Sequence, residues 1–350
     1  MASNEESRKS SPRGISFLTT RAVVALIVAA GTSLGMCGVA TAQESGDKAH
    51  AVVEEKPPLY DENADAKQQI AAAVARAKKE NKRVLIQWGG NWCHWCTKLH
   101  NTMTTDRDIK RTILYEYEVV HIDAGRQTED EPNGKNMAFA KSLGAEINGF
   151  PYLTILDSDG KPMTQQETGS LEVIDENGKN LQKHDAKKVN EFLVANKATP
   201  LYANAVLDEG VLKARNENKL VFMHLGAPWC TWCHRLEDWM AQPEVKKVMD
   251  KQFVDVKIDV DRMTGGKELA AERFPGSQQQ GIPWFAFVNG DGAEVSNSLI
   301  DGKTNVGFPV QDEEVAHFET MLREKATKLT DAEKDFLMNS LRKAGTPFRR

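Results

Sequence analysis

Two short motifs place tryptophan and cysteine at the same spacing in distant parts of the chain, Trp92-Cys93-His94-Trp95-Cys96 and Trp229-Cys230-Thr231-Trp232-Cys233. Residues i and i+3 lie on one face of an α-helix, so two cysteines at this spacing can form a disulfide across its first turn. The dipole and the unpaired N–H groups at a helix N-terminus stabilise a thiolate at the first cysteine and lower its pKa. The second cysteine can then attack a mixed disulfide formed by the first. Both motifs therefore predict thiol–disulfide exchange.

Each cysteine pair also has two plainer interpretations, a permanent disulfide and half of a zinc site. Zinc ribbons combine two such pairs within a short stretch of chain, whereas Cys96 and Cys230 are 134 positions apart. The remaining cysteine, Cys37, lies in an N-terminal apolar segment, so no further pair is left for a structural disulfide framework. We therefore expect two redox-active dithiols that need neither a metal nor an organic cofactor.

The elements that must position these dithiols recur in one order around both motifs. A shift of 137 residues superimposes Val84 on Val221 and Leu99 on Leu236, in addition to the cysteines. Matches outside the motifs indicate a duplicated unit. The hydrophobic pattern of the unit predicts a helix, a strand, the helix of the dithiol, a strand, a helix, a proline turn, a hairpin and a closing helix.

This order, with tryptophan directly before the first cysteine, resembles the thioredoxin superfamily. The Trp-Cys-x-Trp-Cys motif after a glycine-rich turn is similar to the exported bacterial thiol:disulfide interchange proteins. The resemblance implies an α/β fold of two tandem thioredoxin-like domains, each a central mixed sheet flanked by helices. It also implies that Cys93 and Cys230 are the attacking cysteines, and that Cys96 and Cys233 resolve the mixed disulfide.

The resemblance further implies a surface for polypeptide substrates beside each dithiol. Pro151 and Pro283 match the family's cis-proline, which turns the backbone of the preceding residue toward the active site. Phe150 and Ile282 are therefore expected to flank a bound peptide. Aromatic rings around a dithiol are suited to docking unfolded polypeptide, and the candidates are Trp92, Trp95, Trp229 and Trp232.

Two features depart from the superfamily's pattern. One is tryptophan, Trp95 or Trp232, where the central dipeptide often carries proline or histidine, and the other is a missing acid. Thioredoxins usually carry a buried acid six residues before the attacking cysteine, where it relays a proton from the resolving thiol. Gln87 and His224 occupy this position here. Gln87 cannot act as an acid or a base, whereas His224 can, so His224 is the expected proton relay of the second dithiol. His94, between the cysteines of the first motif, is expected to make Cys93 the more acidic of the two attacking cysteines.

Residues 1–42 have the composition of an export signal. Arg8, Lys9 and Arg13 precede an apolar run at 22–30, and small residues continue to Ala40-Thr41-Ala42. This pattern predicts cleavage after Ala42, and the alternative is an uncleaved membrane anchor over 22–42. Both alternatives place the body of the protein outside the cytoplasm, in the periplasm or an equivalent compartment, where a dithiol serves exported substrates.

The rest of the chain divides into five predicted segments. They are a tether at 43–60, thioredoxin-like domain 1 at 61–196, a linker at 197–201, thioredoxin-like domain 2 at 202–328, and a C-terminal helix and tail at 329–350. Polar residues at 169–185, with an Asn177-Gly178 turn, predict an inserted loop or hairpin of unassigned role.

The combined expectation is an exported thiol–disulfide oxidoreductase that acts on polypeptide substrates and is reset by an unidentified redox partner. Two alternatives stay open, a non-catalytic tandem scaffold that binds client proteins and a membrane-tethered electron relay between the two domains. A net charge of −5 supplies no basic field for nucleic acid, which excludes that class of partner. A membrane contact is expected only if residues 22–42 stay attached.

Overall fold

The computed structural model describes residues 57–125 and 134–349. The predicted export signal and residues 43–56 of the predicted tether lie outside the described residues. Among the helices of the two described ranges, none combines the length and the hydropathy needed to cross a bilayer.

The first half of the described chain is a mixed sheet covered by helices on both faces. Its helices and strands are α1 (Ala66–Lys79), β1 (Arg83–Gly89), α2 (His94–Thr105), α3 (Arg107–Glu116), β2 (Tyr117–Asp123), α4 (Met137–Ser142), β3 (Tyr152–Leu156), β4 (Pro162–Glu167), β5 (Glu172–Ile174), β6 (Asn180–His184) and α5 (Ala186–Ala195). The strand order is β2-β1-β3-β4, with β1 parallel to β2 and antiparallel to β3, and β3 antiparallel to β4. We call this half unit 1.

The central strand β1 is buried on both faces because successive side chains of a strand point to opposite sides of the sheet. Val84 and Ile86 pack on one side against Ile70 of α1. Leu85 packs on the other side against Leu99 of α2. The dithiol helix α2 is therefore held directly over the strand that leads into it.

The second half, unit 2, repeats this arrangement. Its elements are α6 (Ala203–Asn216), β7 (Leu220–Gly226), α7 (Thr231–Ala241), α8 (Pro243–Gln252), β8 (Phe253–Asp259), α9 (Gly266–Arg273), β9 (Trp284–Val288), β10 (Glu294–Asn297), β11 (Leu299–Ile300), β12 (Thr304–Asn305), α10 (Asp312–Lys325) and α11 (Asp331–Gly345). The strand order β10-β9-β7-β8 and the directions of pairing match unit 1. The predicted α/β fold class with two units of mixed sheet is confirmed.

The sequence did not predict α3 and α8, the helices that directly follow the two dithiol helices. Asp106 ends α2 and also begins α3, because its carboxylate accepts hydrogen bonds from the backbone N–H groups of Asp108 and Ile109. Pro243 occupies the first position of α8, where its missing N–H costs no hydrogen bond. The predicted insertion forms a short helical turn followed by the hairpin β5–β6.

A buried arginine joins the two units. Arg262 donates hydrogen bonds to the backbone oxygens of Glu80 (2.6 Å) and Asn81 (2.9 Å), directly after α1. It also pairs with the Glu116 carboxylate at 3.0 Å, and the Arg262 side chain is only 8% exposed. The guanidinium therefore satisfies carbonyl groups that a helix end leaves without an intrahelical partner.

A second ionic contact crosses the same interface. The Lys257 ammonium on β8 lies 2.9 Å from Glu80 of unit 1 and 2.8 Å from Glu237 on α7. Burial favours the neutral amine, but the Glu237 and Glu80 carboxylates outweigh it and hold the pKa of Lys257 above its usual value. Unit 1 thus contributes a charge next to the dithiol helix of unit 2.

Replacement of Arg262 by alanine is expected to lower the free energy of unfolding by about 3 kcal/mol, because Glu116 and two carbonyl groups lose a buried partner. Urea unfolding measures this change. The matched control is Arg323→Ala, which removes an exposed arginine bound to Glu319 and Asp335 and is expected to cost less than about 1 kcal/mol. Equal losses in both variants would show that the interface adds nothing beyond surface pairing.

Candidate active sites

The first cysteine of each pair stands at the start of a helix. Cys93 precedes α2 and Cys230 precedes α7, and each sulfur accepts a hydrogen bond at 3.1 Å from the backbone N–H of Cys96 or Cys233. Both pairs are closed as disulfides. A helix N-terminus favours negative charge at this position, so reduction leaves the sulfurs of Cys93 and Cys230 where a thiolate is stabilised.

The residue before each predicted cis-proline lies beside a dithiol. The Phe150–Pro151 and Ile282–Pro283 peptide bonds are both cis. The backbone oxygen of Ile282 lies 3.4 Å from Cys230 Sγ. In the first site the rings of Phe150 and Trp92 meet edge to face, with their centroids 5.5 Å apart. The fold therefore brings the proline turn to the dithiol in both units.

The four tryptophans of the motifs differ in exposure between the sites. Trp229 is 55% exposed and Trp232 is 42% exposed, whereas Trp92 and Trp95 are half-buried. The second site therefore presents the larger aromatic surface to solvent. His94 lies exposed in the first turn of α2, and its expected effect on Cys93 stays a prediction.

The inserted hairpin covers part of the first site. His184, at the end of β6, is buried and meets the Trp95 ring edge to face at 5.4 Å. A groove of about 680 Å³ runs beside this contact, and its lining includes Trp95, Phe150, Pro151 and Glu172. The insertion thus shapes the surface next to the first dithiol.

The C-terminal segment covers part of the second site instead. Phe348 meets the Trp232 ring at 5.6 Å, and Phe308 stacks on the same ring at 6.3 Å. The Arg235 guanidinium lies 4.2 Å from the Trp232 centroid and 3.6 Å from that of Phe348. Phe348 is 116 positions from Trp232 in the chain, and no local pattern in the sequence indicates this contact.

The residues six positions before Cys93 and Cys230 are both buried, but their partners differ. Gln87 donates hydrogen bonds to the Tyr60 hydroxyl at 2.6 Å and to the backbone oxygen of Cys96 at 3.2 Å. His224 Nε2 lies 3.1 Å from an oxygen of Asp255. A neutral pair therefore underlies the first dithiol, and an imidazole with a carboxylate partner underlies the second.

Tyr60 is a site residue that the sequence reasoning missed. It closes the predicted tether, yet it is fully buried and packs with Cys93 and Cys96. Asn91, two residues before Cys93, holds the Tyr60 backbone by accepting from its N–H (3.0 Å) and donating to its carbonyl (2.8 Å). Tyr60 therefore belongs to the core under the first dithiol. The sequence feature that could have indicated its burial is the apolar pair Leu59-Tyr60 at the end of a charged segment.

Two family models match the two halves of the chain. Residues 70–176 match a thioredoxin-like domain. Residues 182–340 match a DsbH-type family described as a protein of unknown function, DUF255.

Individual relatives match shorter parts of the chain. The disulfide bond reductase DsbH of Chlamydia pneumoniae is 24% identical over 98 residues, which are 27% of this chain and 58% of the relative. Spermatogenesis-associated protein 20 of Homo sapiens is 42% identical over 48 residues, which are 13% of this chain and 6% of the relative. The chain thus matches less than two thirds of either relative. A solved disulphide isomerase from Xylella fastidiosa Temecula1 is 27% identical and covers 39% of this chain and 94% of its own, with a TM-score of 0.31.

A matched pair of glycine variants tests the packing under the two dithiols. A Cβ at Gly89 would lie 2.4 Å from Cys96 Sγ and 2.6 Å from the Tyr60 hydroxyl, whereas the nearest atoms to one at Gly226 lie at 3.5 Å. Gly89→Ala is expected to lower the free energy of unfolding by about 1–3 kcal/mol through overpacking, and Gly226→Ala is expected to be nearly neutral. Urea unfolding compares the two, and a neutral Gly89→Ala would refute the close packing.

Proposed function

Because the chain belongs to the thioredoxin superfamily, we propose that it is an exported thiol–disulfide oxidoreductase that exchanges disulfides with polypeptide substrates through both dithiols. One observation carries the proposal. Each attacking sulfur accepts the N–H of its resolving cysteine at a helix start, in a unit whose proline turn packs against the dithiol. A permanent disulfide needs neither feature.

In the reducing direction, the Cys93 or Cys230 thiolate attacks one sulfur of a substrate disulfide. The other substrate sulfur leaves as a thiolate and takes up a proton, and a mixed disulfide links enzyme and substrate. Cys96 or Cys233 then loses its proton and attacks the enzyme sulfur of that bond, which closes the enzyme disulfide and releases the substrate with two thiols. The unidentified redox partner returns two electrons to the enzyme, and oxidation of substrates runs the same steps backwards.

The surroundings of each dithiol support polypeptide as the substrate class. The exposed rings of Trp229 and Trp232 offer apolar area, which suits unfolded chains. The backbone before each cis-proline, at Phe150 and Ile282, offers hydrogen-bonding groups to an extended peptide. The groove beside the first dithiol extends that surface along the inserted hairpin.

In the second site, His224 is the proposed proton relay. Its Nε2 is held by Asp255, which fixes the ring and leaves Nδ1 as a buried atom without a hydrogen-bond partner in the described part of the chain. An imidazole in this arrangement can take the proton of the resolving thiol and return it. The first site requires another device because Gln87 has no proton to exchange.

Removal of both attacking cysteines tests the activity. The variant Cys93→Ser with Cys230→Ser is expected to reduce insulin no faster than dithiothreitol alone, because neither site can form a mixed disulfide. Each single variant serves as the control and is expected to keep the activity of its intact site. Reduction of insulin by the double variant would refute the proposal, and suppression of insulin aggregation without reduction would favour the scaffold.

Export is tested separately on the protein purified from cells that make it. N-terminal sequencing is expected to begin at Gln43, because a signal peptidase cleaves after small residues such as those at 40–42. A mature chain that keeps residues 22–42 and sediments with membranes would show an anchor instead. A chain recovered from the cytoplasm with its first residues intact would contradict export.

A further inference from the structure

We propose that Tyr60 is a catalytic residue of the first site, whose hydroxyl donates a hydrogen bond to Cys96 when that sulfur becomes a thiolate. The proposal rests on the proposed function, since it concerns the step in which Cys96 resolves the mixed disulfide. It assigns to a neutral phenol the stabilisation of the Cys96 thiolate and gives Tyr60 no part in carrying the proton of that thiol.

The position of the hydroxyl supports this role. Tyr60 is fully buried and shares a cluster with Cys93 and Cys96. A Cβ built on Gly89 would lie 2.4 Å from Cys96 Sγ and 2.6 Å from Tyr60 Oη, so these two atoms are no more than about 5 Å apart. Reduction frees Cys96 Sγ from its bond to Cys93, and rotation of the side chain about Cα–Cβ closes the remaining gap.

The hydrogen bond from Gln87 prepares Tyr60 to act as a donor. The Gln87 amide occupies a lone pair of the Tyr60 oxygen at 2.6 Å. In the described part of the chain the hydroxyl has no other hydrogen-bond partner, so its own hydrogen is available to Cys96. Burial raises the pKa of Tyr60 far above its usual value, and the group therefore keeps its proton at every pH at which the site works. A donated amide N–H also polarises the phenolic O–H and strengthens the bond that it makes.

The phenol is held in place from two sides. Asn91 makes two hydrogen bonds to the backbone of Tyr60, at 3.0 and 2.8 Å, directly before the Trp92-Cys93 turn. The ring also packs edge to face on His121, with centroids 5.5 Å apart. The hydroxyl therefore keeps its position relative to the dithiol when the disulfide opens.

The other titratable groups that face Tyr60 and Cys96 supply no positive charge. They are His121 and Asp123 on β2, and His100 on α2. Burial, with the neighbouring His100, lowers the pKa of His121 to about 4, and burial also lowers the pKa of His100. Both imidazoles are neutral at pH 7, so the Tyr60 hydroxyl is the group suited to stabilising negative charge on Cys96.

The second site fills the same space with a different group. A Cβ built on Gly226 would lie 3.7 Å from Cys233 Sγ and 3.5 Å from Lys257 Cε, where its counterpart at Gly89 meets Tyr60. Lys257 carries a charge that Glu237 and Glu80 balance. One unit therefore places a phenol hydroxyl at this position, and the other places the Lys257 methylene next to an ammonium that Glu80 and Glu237 bind.

The resolving step then balances as follows. In the mixed disulfide, Cys96 loses its proton to solvent, and its sulfur accepts the hydrogen bond of Tyr60. The Cys96 thiolate attacks Cys93 Sγ, a new Cys93–Cys96 bond forms, and the bond from Cys93 to the substrate breaks. The substrate sulfur leaves with the electron pair and takes a proton from solvent. Tyr60 keeps its own proton throughout.

The test isolates the resolving step in a protein with only the first dithiol, Cys230→Ser with Cys233→Ser. After reduction, this protein reacts with 5,5′-dithiobis(2-nitrobenzoate) in two phases, in which Cys93 attacks the reagent and Cys96 then expels the second thionitrobenzoate. Tyr60→Phe removes only the hydroxyl. It is expected to slow the second phase about tenfold at pH 7 and to move its pH midpoint up by about one unit, as for the loss of a hydrogen bond to a charged group.

Tyr117→Phe is the matched control. Tyr117 is also buried in unit 1, and its hydroxyl donates to the backbone oxygen of Leu193 at 2.6 Å, away from the dithiol. This variant is expected to keep both the rate and the pH midpoint of the second phase, whatever it costs in stability. A Tyr60→Phe protein with an unchanged second phase would overturn the proposal.

A second variant tests the same hydrogen bond with Tyr60 left in place, in case Tyr60→Phe fails to fold. Gln87→Met removes the N–H that polarises the hydroxyl, and a slower second phase with a raised midpoint is expected; no change would count against the proposal. Failure of the proposed function has a different signature, because the parent protein would then show no reversible dithiol and no insulin reduction. A slower second phase with a raised pH midpoint in Tyr60→Phe, in a parent protein that reduces insulin, supports both the proposed function and the role of Tyr60.

Discussion

The hydrogen bond from the backbone N–H of the second cysteine of each pair to the sulfur of the first is the contact on which both sites depend. At 3.1 Å it makes Cys93 and Cys230 the N-cap residues of their helices. The same bond that caps the helix in the closed state is available to a thiolate in the open state. Helix capping and thiolate stabilisation therefore both require a sulfur at the N-cap position. The rest of each unit holds that helix against a sheet and a proline turn.

Around this shared core the two units have diverged in charge. The first dithiol lies over Gln87 and Tyr60, a neutral pair, whereas the second lies near His224 and Lys257, with carboxylate partners from two units. Such groups shift the balance between thiol, thiolate and disulfide. Because Glu80 of unit 1 pairs with Lys257 of unit 2, an ion pair joins the duplicated halves even though each has its own sheet.

Much of the fold was predictable because duplication repeats the signal. Central strands such as β1 and β7 are mostly apolar, and the proline turns and cysteine spacing occur twice, so each unit supports the interpretation of the other. The helix α3 was missed even though Ile109 and Ile113 lie one helical turn apart and both pack on the core of unit 1. The burial of Tyr60 and the contact of Phe348 with Trp232 depend on chain packing across long separations, which composition and local pattern do not encode.

The most direct test of the central claim is the redox equilibrium of the full-length protein with a graded series of reduced and oxidised glutathione. Mass spectrometry after thiol trapping would count open and closed pairs separately at Cys93–Cys96 and Cys230–Cys233. The account predicts two reversible two-electron transitions, one for each pair, that coincide when approached from the reduced and the oxidised side. Pairs that stay closed across the whole series, or that never re-form after reduction, would contradict it.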